Sequence, residues 1–183
     1  MASDFGDDSG EKMVDWMLAF GQEAGDSAMC ASAERLKQAF RNARGSLGAA
    51  EEASEDENLE DWVKLRLREF EELPEYETLR EIIDEQLDRD AVEHDFFEDE
   101  RGRGYLLFKR EDVDEVNRAF RSLEKRVDRA LDESLQRRGK TREQVRDEEP
   151  LESRAQSARE SSRAIDESRS REHDLERFEM RAK

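Results

Sequence analysis

Between Leu59 and Leu135 the apolar positions follow two periods in turn. Val63, Leu65 and Leu67 alternate with Lys64, Arg66 and Arg68, the period-two pattern of a half-buried strand. Pro74 then stands where the first turn of a helix tolerates it, and Tyr76, Leu79, Ile83 and Leu87 line one helical face behind it. A second strand is predicted from Val92 to Phe97, a charged, glycine-bearing hairpin loop from Glu98 to Gly102, and a third strand from Tyr105 to Phe108. Asp112 opens a helix, with Glu115 completing a capping box and Val113, Val116, Phe120, Leu123, Val127 and Leu131 forming its apolar stripe. Gly139 is the expected stop. Residues 62–138 therefore read as a β-α-β-β-α core, an antiparallel-rich sheet with helices on one face, of α+β class.

Upstream, Val14, Trp16, Leu18 and Phe20 share one face of a strand, although Met13, Met17 and Phe20 suit a helix equally. Gly21 and Gly25 favour a break after Phe20, and Met29, Ala33, Leu36 and Phe40 recur at helical spacing. Residues 11–46 are thus expected to be a strand–helix unit whose strand adds a fourth member to a three- to four-stranded sheet.

Composition sharpens the boundaries. Only 34% of the 183 residues are hydrophobic and 45% are charged, against a usual apolar share of ~45–50%. The core-forming residues are crowded into the central window, so the flanks lack the means to fold alone. Residues 1–10 are small and acidic and are expected to be disordered. Residues 47–61 form an acidic linker, with seven acids and no base from Glu51 to Asp61. The segment 139–183 mixes both signs around the few anchors Val145, Leu151, Ile165, Leu175 and Phe178, and is expected to be a disordered or weakly helical tail. No apolar run approaches a membrane span and no signal-peptide pattern opens the chain, so a cytoplasmic location is expected. A net charge of −18 opposes unassisted adsorption to nucleic acid or anionic lipid and leaves only a local basic patch for such contacts.

The chemistry points away from an enzyme. Acids are so numerous that any carboxylate spacing arises by chance, and Asp15 alone lies within an apolar run. His94, between Glu93 and Asp95, reads as an exposed strand residue rather than an oriented base. Cys30 reads as a packed thiol. A single cysteine and two distant histidines exclude an internal disulfide and a cysteine-based zinc site, and no cofactor is expected.

Arg101-Gly-Arg-Gly-Tyr-Leu-Leu-Phe108 resembles the first ribonucleoprotein motif of RNA-recognition modules, whose rings stack on bases. Here Arg103 replaces the first ring and Tyr105 and Phe108 remain. The local charge also reverses. Arg101, Arg103, Lys109, Arg118, Arg121, Lys125 and Arg129 are candidate contacts for nucleic acid or an acidic partner. The last four share a helical face, with Asp114 placed to pair with Arg118. Val127, Leu131 and Leu135 fit a heptad as well as a core, and burial under the domain's own sheet is preferred.

The strand Gly104-Tyr-Leu-Leu-Phe-Lys109, followed by Asp112 or Asp114 opening a helix with Ala119-Phe120, resembles the PcfB-like accessory proteins of Gram-positive conjugative elements. The likeness extends over about residues 13–130, through the expected strand–helix unit and the helix at Tyr76, with the acidic charge as its departure. It implies a non-enzymatic adaptor that works with a relaxase or a coupling ATPase in DNA transfer. An RNA-recognition-like binder of single strands and an acidic antitoxin-like inhibitor are the alternatives.

Overall fold

Hairpins of two kinds, one helical and one of strands, organise the chain in the computed structural model, which describes residues 8–52, 61–148 and Arg159. The elements are α1 (Asp8–Ala24), α2 (Asp26–Ser46), a 3-10 turn (Leu47–Ala49), β1 (Glu51–Glu52), β2 (Trp62–Arg66), α3 (Arg68–Glu71), α4 (Tyr76–Arg89), β3 (His94–Glu98), β4 (Gly104–Lys109), a 3-10 turn (Arg110–Asp112), α5 (Val113–Arg137) and α6 (Arg142–Glu148). The chain divides into a unit at Met1–Arg142 and a second at Glu143–Lys183. The class is α+β, mainly helical, with a small antiparallel sheet ordered β1-β2-β4-β3. No helix of the described residues is long and apolar enough to cross a membrane.

The expected strand at Met13–Phe20 is part of a helix. Met13, Val14, Trp16 and Met17 are all buried, and the indole of Trp16 donates to the Pro74 carbonyl at 2.9 Å. Gly21 is no break. It lies inside α1, and a Cβ there would sit 2.8 Å from Met29 Sδ, so glycine lets α1 close against α2. The turn falls at Gly25, which takes φ 91°, the left-handed region open to glycine. Residues 11–46 are consequently a helical hairpin, and the strand at the sheet edge is β1, drawn from the segment read as acidic linker. Of residues 1–10, expected to be disordered, Asp8, Ser9 and Gly10 instead open α1; residues 1–7, the remainder of the linker at 53–60, and the tail beyond 148 apart from Arg159 fall outside the described residues. Residues 142–148 of the tail are helix α6.

Phe40 of α2, Phe70 of α3 and Phe120 of α5 meet at the centre, with ring centroids 5.1–6.4 Å apart. The α5 stripe is buried through Val116, Phe120, Leu123, Val127, Leu131 and Leu135 within the chain itself. That burial accounts for the heptad-like spacing without a second copy. Asp112 does not cap α5: its side chain makes no capping bond, because a 3-10 turn leads into the helix, and Glu115 pairs with Arg118 instead. The end of α5 matches expectation. Gly139 takes φ 71° and donates to Gln136 at 2.9 Å, while Lys140 donates to Leu135 at 2.9 Å.

Ion pairs tie the helices together at their ends. Asp26 at the start of α2 meets Arg138 and Lys140, and Asp128 of α5 meets Lys37 at 3.1 Å and Arg142 at 3.2 Å. Burial by itself would push both carboxyls up. The hydrogen bonds and charges of Lys140 and Arg138 on Asp26, and of Lys37 and Arg142 on Asp128, outweigh it and hold both below the ordinary carboxylate range. Such groups bind fewer protons folded than unfolded, so their contribution is complete above the unfolded pKa of about 4 and is lost as pH falls through the depressed native value. Urea midpoints are therefore expected to be flat from neutral pH down to about 5 and to fall below about pH 4. Asp26→Asn should shallow that decline; an unchanged acid slope would remove Asp26 from the account.

Candidate nucleic-acid interface

In a strand successive side chains point to opposite faces. The register of the sheet sets Val63 opposite Phe108 and Leu65 opposite Leu106, and these four are buried. The other face brings together Arg66, Tyr105 and Phe97, which are cross-strand neighbours, with Lys64 one pair further along beside Leu107.

Tyr105 is the centre of this second face. Lys64 Nζ lies 5.6 Å from its ring centroid, and the guanidinium carbons of Arg66 and Arg103 lie at 5.4 Å and 5.9 Å. Phe97 is tilted against it at 6.3 Å. The cations cover the tyrosine so fully that it is only 9% exposed, whereas Phe97 is 48% exposed and is the large apolar side chain most open to solvent among the described residues. Cations over an aromatic face are held by its quadrupole, at about 0.5–1 kcal/mol each when exposed. The 3-10 turn after α2 and the strands enclose a cleft of about 440 Å³ bordered by Ser46, Ala49, Lys64, Arg66, Arg103 and Tyr105.

The local chain explains how these side chains are aimed. Asp99 organises the β3–β4 turn: one carboxylate oxygen accepts the backbone N–H of Arg101 and of Arg103 at 2.9 Å each, and the other accepts the Arg103 side chain at 2.6 Å. Gly102 supplies the φ of 71° the turn requires. Gly104 admits Glu71, whose carboxylate accepts the Gly104 N–H at 2.6 Å; a Cβ there would lie 2.8 Å from that oxygen and 2.9 Å from the Tyr76 hydroxyl. The second oxygen of Glu71 meets Arg66 at 2.6 Å, and Arg66 also donates to the Gly104 carbonyl at 2.7 Å. Both arginines are thus oriented beside Tyr105.

No family model, curated protein or solved structure matches this chain. Its own geometry is therefore what decides among the expected contacts. Arg103 and Tyr105 belong to the cluster. Phe108 does not: three residues from Tyr105 on a strand, it faces the helices and is 0% exposed. Arg101 is exposed on the turn. Lys109 lies at the far end of β4, paired with Glu93. Arg118, Arg121, Lys125 and Arg129 are exposed along α5, as their spacing predicts, but form a surface of their own. Three members of the cluster escaped the reading of the sequence. Lys64 and Arg66 were visible as the polar half of an alternating strand, and Phe97 as the second of two adjacent rings that must face opposite ways.

His94 is not an exposed strand residue. Its side chain is 4% exposed, and its ring nitrogens meet the Val92 carbonyl and Asp84 of α4, each at 2.9 Å. Both nitrogens are engaged, and Nε2 fastens β3 to α4 through Asp84.

Proposed function

We propose that this chain is a non-catalytic module that holds single-stranded nucleic acid across the face of Lys64, Arg66, Arg103, Tyr105 and Phe97. The observation that carries the reading is the gathering of three cations around one ring with a second, half-exposed ring beside it. Single strands are bound by this combination of backbone-tracking charge and base stacking. The chain as a whole repels phosphate, so binding would be confined to this face and sensitive to salt. The setting we propose is DNA transfer in the cytoplasm, with a relaxase or coupling ATPase as protein partner. It rests on the likeness of Gly104–Lys109 and the Ala119-Phe120 helix to conjugative accessory proteins. Within it, the order β2, α4, β3, β4, α5 is read as the β-α-β-β-α core.

The test is an anisotropy titration of the full chain with labelled single-stranded DNA and RNA. Three phosphate contacts give a log–log salt slope of about −2, or roughly a 20-fold loss between 50 and 200 mM salt. Phe97→Ala, which removes the ring that is 48% exposed, should cost about 1–3 kcal/mol, the worth of one base stack. No binding at ~100 μM in low salt, where non-specific contacts are strongest, would end the proposal.

A further inference from the structure

Tyr105 also borders a second cavity, of about 310 Å³, at the hairpin end of the sheet, and its lining has the opposite character. The rings of Tyr76 and Phe96 belong to it, together with three acids, Glu71, Glu77 and Glu98. Its cation, Arg80, is engaged within the same lining: the guanidinium lies 5.6 Å over the Phe96 ring and 3.5 Å from Glu77, with which it pairs. Glu71 is spent on Gly104 and Arg66. What remains to meet a guest is the Glu98 carboxylate and the Tyr76 hydroxyl. Burial and the nearby Glu71 charge hold that hydroxyl above its ordinary pKa and so keep it protonated.

Such a lining rejects phosphate and accepts a flat ring with N–H donors on its edge. The volume lies at the lower end of small-molecule sites, about 300–1,000 Å³, and suits one base rather than two. An ionised carboxylate only accepts hydrogen bonds. Guanine turns two adjacent donors, N1–H and the 2-amino group, toward a single carboxylate. Uracil and thymine present one N–H between two carbonyl oxygens, which a carboxylate repels.

Resting on the nucleic-acid reading above, we infer that this cavity is a base-recognition pocket selecting guanine, with Glu98 accepting its Watson–Crick edge. The phosphates of the same strand lie in the basic cleft, and Tyr105, common to both, stands between base and backbone. The proposal explains why acids line a cavity that shares a residue with a phosphate-binding face: they sort bases where the cations hold the chain.

The experiment compares labelled oligothymidylate with the same strand carrying one central guanosine, and with inosine in its place, on the full chain. The guanosine strand should bind about 10-fold tighter than oligothymidylate, the range of one good bidentate contact. Inosine, which lacks the 2-amino group, should lose most of that advantage. In Glu98→Gln, at an exposed position, the ratio of guanosine to thymidine affinity should fall to near one. The ratio is the readout, since removing an acid raises affinity for every strand alike. Equal binding of the three strands, or a ratio that survives in Glu98→Gln, would overturn the pocket and leave the binding face standing. Failure of every strand to bind would instead remove the face, and the pocket with it.

Discussion

Replacing Phe120 with alanine is expected to lower the unfolding free energy by about 3–5 kcal/mol, as large-to-small changes of a buried ring do. Phe120 is 0% exposed and its ring lies 5.7 Å from Phe40 and 6.4 Å from Phe70. Three elements far apart in the chain, α2, α3 and α5, therefore lean on it, and none can shift into the void without opening a contact with the others. For a domain whose total stability is about 5–15 kcal/mol, such a loss takes a large share. Urea unfolding followed through tryptophan fluorescence would report it, because Trp16 is 3% exposed in the native state. Phe97→Ala is the control. That ring is 48% exposed, and its loss should change stability by no more than about 0.5 kcal/mol. A cost below about 1 kcal/mol for Phe120→Ala would mean that the three rings are not packed as described.

The double reversal Lys64→Glu/Arg103→Glu should weaken single-strand binding by more than about 3 kcal/mol, over a hundredfold, since like charges brought face to face cost several kcal/mol. It replaces the three cations around Tyr105 with one cation and two anions. Neither side chain is buried, and Asp99 still accepts the backbone N–H groups that close the turn, so the fold should persist. Circular dichroism checks that point. Arg121→Glu/Lys125→Glu adds the same charge change on α5 and should leave affinity within a few-fold. Equal losses from both pairs would show that overall charge, rather than the sheet face, governs binding.

Much of the central window could be read from periodicity alone, because both periods there were long enough to be unambiguous. The α5 stripe spans many turns, and the Val63–Leu65–Leu67 alternation admits only one burial pattern. Met13–Phe20 failed for the converse reason. Over eight residues the strand set Val14, Trp16 and Leu18 and the helix set Met13 and Met17 share Phe20, and apolar residues are dense enough there to fill both. What decides between them is tertiary: Met13, Val14, Trp16 and Met17 are buried among other helices, and Gly21 serves a close helix crossing rather than a turn. The acidic pair Glu51-Glu52 joins the sheet because antiparallel pairing with β2 satisfies its backbone, something side-chain charge does not reveal.

On the basic face of the sheet the error was one of parity. Tyr105 and Phe108 were grouped as two rings of one motif, yet an odd spacing on a strand separates them to opposite faces. The true neighbour of Tyr105 is Phe97, and only the β3–β4 register identifies it. Glu71 was still harder to foresee. Its partner Gly104 lies more than thirty residues away, and nothing local to either marks the contact.

Because β3 lies at the end of the sheet order, one side of its backbone is left without a neighbouring strand among the described residues. An open edge of this kind can template pairing with another molecule. Glu93, Asp95 and Glu98 run along it, all exposed. Two copies approaching edge to edge would set these carboxylates against one another, so the charge keeps neighbouring molecules apart. That guard is electrostatic, so added salt should screen it and favour edge-to-edge association.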